Sequence, residues 1–185
     1  MNPDKVKIDD LTFNVLISEE QIQNRIKEIA DEISLDYEGK LPILVGVLNG
    51  AYLFMADLFR TLRIDSEVDF IKISSYGDAR VSSGEITMIK DFSADLYDRH
   101  VIVIEDIVDS GLSIHYLTRR IKKMKPASLK FVSLLVKKGV AKVDLTIDYI
   151  GFEIENKFVI GYGLDYKQKK RNLRAIYQLA DKNLI

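Results

Sequence analysis

Cysteine is absent from all 185 residues, which excludes disulfides and thiolate metal sites. Its absence fits a reducing compartment, and equally a chain that simply avoids thiols. No apolar run approaches the roughly 20 residues that span a bilayer. The opening "MNPDKVKIDD" is too polar and acidic for a signal peptide, so a cytoplasmic protein with no membrane partner is expected. Charge of one sign is lacking too: 27 basic against 28 acidic residues leave a formal net charge of −1. Such a balance gives no support to a general polyanion binder, and no nucleic-acid partner is expected. Repeats, low-complexity tracts and Pro/Gly/Ser-rich linkers are missing, so residues 1–185 read as a single domain. The two histidines, His100 and His115, have no partners at ligand spacing and receive no role. Neither the G-x-x-x-x-G-K-[ST] loop nor the G-x-G-x-x-G fingerprint of dinucleotide sites occurs.

What is present is an alternation of strand and helix signals. Ser18 with Gln21 three positions later forms a capping-box pattern, and Ile22, Ile26, Ile29 and Ile33 fall on one helical face. This amphipathic helix is the one element expected in the roughly forty residues before the first core strand. "ILVGVL" (43–48) suits a strand buried on both faces, broken by Asn49-Gly50 and followed by a helix over "AYLFMADLFRTL". "EVDFIKIS", "EITMIK" and "HVIVIED" are further strands, and Ile114, Leu117, Ile121 and Met124 mark a helix ended by Pro126. "SLKFVSLLV", "DYIGFEI" and "FVIGYG" read as strands, while "RAIYQLA" is ambiguous between strand and helix. The alternation argues for a mostly parallel α/β sheet flanked by helices. Ligands of such sheets bind beyond the carboxyl ends of the strands, here after Leu48, Ile104 and Val136.

The segment "VIVIEDIVDSGLS", Val101 to Ser113, is the most informative. Glu105 and Asp106 are expected where the apolar run meets solvent. Asp109, Ser110, Gly111, Leu112 and Ser113 then lead into a helix. Free amides at a helix N-terminus, a glycine and two hydroxyls suit a phosphate. An ordinary N-cap by Ser110 or Ser113 is the plainer alternative. A phosphate seat beside carboxylates able to hold ribose hydroxyls, directly or through a hard cation, suits a sugar phosphate.

This segment resembles the phosphoribosyl diphosphate signature of the type I phosphoribosyltransferases. "GVLNGAYLFMADL", "ISSYGD", "SLLVKK", "DYIGFEIENKFVIGYGLDY" and Arg171 are similar to segments of its hypoxanthine-guanine branch, so the likeness runs from about Ile43 to about Arg171. The resemblance implies an α/β type I phosphoribosyltransferase fold: a central mostly parallel sheet flanked by helices, a small hood and a mobile active-site loop led by Ser75 and Tyr76. It implies transfer of the phosphoribosyl group from phosphoribosyl diphosphate to N9 of hypoxanthine or guanine, with Mg2+, in a homodimer or homotetramer. Asp109 would be the catalytic proton acceptor near purine N7. Glu105 and Asp106 would contact the ribose, and with Asp165 the metal. Ser110, Gly111, Leu112 and Ser113 would hold the 5′-phosphate, with Leu112 standing where many relatives carry Lys or Arg. Leu48, Asn49, Gly50 and Arg171 would bind the diphosphate, and the peptide before Asn49 is often cis in the family. Lys137, Lys157, Phe158, Val159 and Asp165 would surround the purine, Lys157 donating to its 6-oxo group and Phe158 stacking on its face. On pattern alone Phe158 reads as a core strand residue.

A regulator built on this fold would need a DNA-binding unit, for which the N-terminal forty residues offer too little. A uracil, adenine or orotate transferase shares the 101–113 signature, but "ENKFVIGYGLDY" argues against these.

Overall fold

The computed structural model describes residues 4–75, 86–139 and 146–180. A six-stranded sheet forms the centre, built from β3 (Ile43–Leu48), β4 (Glu67–Ser75), β5 (Ile86–Lys90), β6 (His100–Val108), β7 (Ser128–Lys137) and β8 (Tyr149–Ile154). Its order is β5-β4-β3-β6-β7-β8, and only β5 runs antiparallel to its neighbour. The unbroken apolar runs follow from burial on both faces. On β6, Ile102 and Ile104 pack towards α1 (Glu19–Asp36) and α2 (Tyr52–Thr61), whereas Val101 and Val103 pack towards α3 (Leu112–Lys123).

The helices follow their sequence signals. Ser18 Oγ accepts from the Gln21 N–H at 3.2 Å and Gln21 Oε1 accepts from the Ser18 N–H at 2.9 Å, closing the expected box. Ile22, Ile26, Ile29 and Ile33 are all fully buried. Pro126 lies just beyond α3, which ends with Met124 as its C-cap.

Two expectations are corrected in a second, smaller sheet of order β1-β2-β10-β9. The residues before β3 hold not only the amphipathic helix but also an antiparallel hairpin, β1 (Lys5–Ile8) and β2 (Leu11–Ile17). Asp9, at φ 52°, takes the left-handed backbone that its two-residue turn needs. The expected strand over "FVIGYG" shrinks to β9 (Val159–Ile160), because Gly161, Tyr162 and Gly163 all have positive φ and turn the chain away. The ambiguous "RAIYQLA" forms a strand, β10 (Ile176–Leu179), paired to both β2 and β9. Phe13, Ile160, Ala175, Ile176 and Tyr177 are wholly buried around this sheet, which gives the region its own apolar support. It forms the hood.

Candidate active site

An open cleft of about 500 Å³ lies at the carboxyl ends of the parallel strands. Leu48, Asn49 and Gly50 after β3, Glu105 and Asp106 on β6, Ser113 at the start of α3, and Asp165, Gln168 and Arg171 all line it. Two of the three strand ends singled out from sequence thus border one space. A smaller contiguous hollow of about 230 Å³ is bounded by Glu105 and residues 107–114.

The acidic pair departs from expectation. Strand β6 runs on to Val108, and Glu105 is only 5% exposed rather than meeting solvent at the strand end. Burial, followed by the neighbouring Asp106, pushes the Glu105 carboxyl well above the usual range. Asp106 is raised to about 6, chiefly by burial; donated backbone N–H groups and Arg171 pull it back, and Asp165 pushes it up. Its Oδ1 accepts from the Ile107 N–H at 3.0 Å. Gly50 is what allows this carboxyl its position, since a Cβ there would fall 1.6 Å from Asp106 Oδ2. The Leu48–Asn49 peptide is cis.

Past Val108 the chain opens into the expected loop. The plainer alternative of a serine N-cap is overturned: the N-cap of α3 is Gly111, left-handed at φ 78°, and no side chain caps the helix. A residue with a Cβ rarely adopts that backbone, so the glycine sets the turn. Ser110 Oγ instead accepts a long bond from the Leu112 N–H, 3.4 Å. Apart from the Leu112 N–H, the first-turn amides meet no side-chain cap, and they lie at the positive end of the helix, where an anion is favoured. Leu112 projects outward, 40% exposed.

Asp109 lies beside β7. Its Oδ1 is 2.9 Å from Lys137 Nζ, and the lysine side chain is only 12% exposed. The third strand end thus reaches the same region through this ion pair. On the far side of the cleft, Arg171 is 2.7 Å from Asp165 Oδ1, and donates to the Gly163 carbonyl at 2.7 Å and to Gln168 Oε1 at 3.0 Å. Asp165 Oδ2 accepts from the Gln168 N–H at 2.7 Å.

Phe158 is not a core residue, as pattern alone suggested; it precedes β9 and is 46% exposed. Its ring is roughly perpendicular to that of Tyr166 (centroids 6.0 Å) and tilted to that of Phe13 (6.3 Å). Lys157 is partly buried beside it and Val159 is buried in β9. Ser75 ends β4, and Tyr76 lies outside the described residues.

Gly163 and Gln168 were missed from sequence. A Cβ on Gly163 would lie 2.0 Å from the Gly50 carbonyl oxygen, so the two glycines pack backbone to backbone across the cleft floor. The "GYG" triplet carried a hint, but only the positive φ of +97° makes it informative.

The phosphoribosyl transferase domain family matches residues 18–167. Hypoxanthine-guanine phosphoribosyltransferase of Bacillus subtilis is 46% identical over 162 residues, covering 88% of this chain and 90% of that protein. The chain belongs to the hypoxanthine-guanine phosphoribosyltransferase family. Bifunctional protein TilS/HprT of Listeria monocytogenes is 48% identical over 162 residues, and there the match spans a quarter (25%) of the relative's length. A crystal structure of a hypoxanthine-guanine phosphoribosyltransferase from Bacillus anthracis superposes with a TM-score of 0.85 at 43% identity, covering 90% of this chain and 98% of that one. The family's α/β architecture is thus the one observed, with the central sheet carrying the cleft.

Proposed function

We propose that this hypoxanthine-guanine phosphoribosyltransferase family member transfers the phosphoribosyl group of phosphoribosyl diphosphate to N9 of hypoxanthine and/or guanine. The C1′–N9 bond forms as the C1′–diphosphate bond breaks, giving IMP or GMP and pyrophosphate in purine salvage. The observation that carries this reading is the N-terminus of α3, without a side-chain cap, next to the buried Glu105 and the half-buried Asp106, with Asp109 between them in the chain. The Ser110–Ser113 amides take the 5′-phosphate, and Glu105 and Asp106 face the ribose. There their charge favours the cationic ring of an oxocarbenium-like transition state. Asp109 accepts the purine proton. Phe158 offers its exposed ring to the base, Lys157 donates to the 6-oxo group, and Val159 contributes backbone. The Leu48–Gly50 loop and Arg171 hold the diphosphate, so the two reactants meet in line. Ser75 and Tyr76 belong in this reading to a loop that excludes water.

Magnesium fits the donor set, which is all hard oxygen: Glu105, Asp106 and Asp165. Among the described residues no group of three such side chains is close enough to hold a metal unaided, and Mg2+ commonly takes one or two carboxylates plus substrate phosphates. Once bound it would neutralise charge on the departing diphosphate. None of the described helices is long and apolar enough to cross a membrane; cytoplasmic action belongs to the proposal. So does a homodimer or homotetramer, for which exposed Tyr52, Phe59 and Val68 supply apolar surface.

The test is to incubate the protein with phosphoribosyl diphosphate, Mg2+ and hypoxanthine, guanine or xanthine, and to measure nucleotide. Hypoxanthine or guanine should be converted, and Asp109→Asn should lower kcat by about 100-fold with little change in sugar-diphosphate affinity. No nucleotide from any base would overturn the proposal.

A further inference from the structure

Gly161, Tyr162 and Gly163 are three consecutive left-handed residues, with φ +96°, +48° and +97°. The outer two are glycines. Tyr162 is not, and holding an L-residue there costs on the order of 1 kcal/mol. Something must fix it. Its ring is buried, and its hydroxyl donates to Asp57 Oδ2 at 2.6 Å. Gln23 Nε2 donates to the same oxygen at 2.9 Å. Side chains from α1 and the 161–163 turn therefore converge on one carboxylate of α2. Burial and then Asp57 raise the Tyr162 phenol far above its ordinary value, so it remains a donor.

The elements joined in this way are the two sides of the cleft floor. Helix α2 starts two residues after Gly50. Gly163, next to Tyr162, packs on the Gly50 carbonyl and exchanges hydrogen bonds with Arg171: its N–H donates to the Arg171 carbonyl at 2.9 Å, and its own carbonyl accepts from the guanidinium. We infer that Asp57 and Tyr162 are positioning residues whose hydrogen bond sets the spacing between the Gly50 loop and Arg171, and with it the affinity for a diphosphate group. The inference rests on the reading of Gly50 and Arg171 as diphosphate contacts. Neither Asp57 nor Tyr162 touches the reacting atoms.

The test compares wild type, Tyr162→Phe and Asp57→Asn by calorimetric titration with two ligands. One is phosphoribosyl diphosphate with Mg2+. The other is IMP, which fills the sugar-phosphate and purine ends but carries no diphosphate. Both variants should bind phosphoribosyl diphosphate about tenfold more weakly, as expected for a lost charge-assisted hydrogen bond, while IMP affinity stays within about twofold. Parallel loss for both ligands, or a lower melting temperature with both affinities unchanged, would reduce the bond to plain packing and overturn the inference. Tyr162→Phe keeps the ring and decides the matter if Asp57→Asn fails to fold. If wild type itself does not bind phosphoribosyl diphosphate, it is the function proposed above that fails.

Discussion

A Cβ at position 50 would lie 1.6 Å from Asp106 Oδ2 and 2.4 Å from its Cγ, so the residue there is constrained by room rather than by backbone freedom. Asp106 is tethered where it stands, because its other oxygen accepts from the Ile107 N–H at 3.0 Å, and moving it would break that bond. On the opposite side Gly163 closes on the Gly50 carbonyl. Gly50→Ala therefore has to displace the carboxyl or open the Gly50–Gly163 contact, and both lie in the cleft. The expected outcome is a loss of about 100-fold or more in kcat/KM, equivalent to about 3 kcal/mol of transition-state stabilisation, with a circular dichroism spectrum like wild type. An alanine variant of near-normal activity would show that Asp106 does not need its observed position.

At the level of elements, what could be read in the sequence is what neighbouring residues decide among themselves. The capping box of α1 is such a case, since Ser18 and Gln21 satisfy each other's backbone N–H groups within one turn. Ser18→Ala should cost about 1 kcal/mol and lower the melting temperature by about 2–4 °C for a chain of this size. Turnover at 25 °C should be unaffected, and an unchanged melting curve would deny the cap any energetic weight. The β1–β2 hairpin is the opposite case. Only Val6 and Ile8 alternate with lysines in β1, and the burial of Phe13 depends on β9 and β10, more than 140 residues away. The same dependence left "RAIYQLA" ambiguous. The candidate site divides along the same line. Residues 105–113 were legible because one contiguous segment carries the acids, the hydroxyls and the turn. Two details there were not: β6 keeps Glu105 buried, and Gly111 takes the cap position from the serines. The Asp109–Lys137 pair, the Gly50–Gly163 contact and the Asp57–Tyr162 bond each join distant segments, and no spacing rule reveals them.

For the molecule as a whole, acids perturbed in opposite directions bound the pH range of stability. Asp69 is buried, which alone would raise it, but N–H groups of Ala94, Ser93 and Phe70 and the charge of Lys90 outweigh burial and hold it below its ordinary value. A carboxyl with a lowered folded value stabilises at pH above its unfolded value, and that contribution is lost as the pH falls through the folded one. Asp106 and Glu105 behave oppositely. Their folded values lie above the unfolded ones, so their contribution is complete at pH below about 4 and is lost as the pH rises. For Asp106 the loss develops from its ordinary 3.8 up through about 6, and Glu105, raised well above its ordinary value by burial, adds to it in the same direction. At about 1.4 kcal/mol per unit, the Asp106 shift alone corresponds to a deficit of about 3 kcal/mol at pH 8. The ligand-free protein should accordingly lose melting temperature between pH 5 and pH 8. Asp106→Asn, which cannot ionise, should flatten that decline and melt higher than wild type at pH 8 while losing most of its activity, a trade between stability and site chemistry. Melting curves of both proteins at the two pH values decide the point. If the variant declines as steeply as wild type, the deficit does not originate at Asp106, and this half-buried acid on β6 does not limit the stability of the fold at neutral pH.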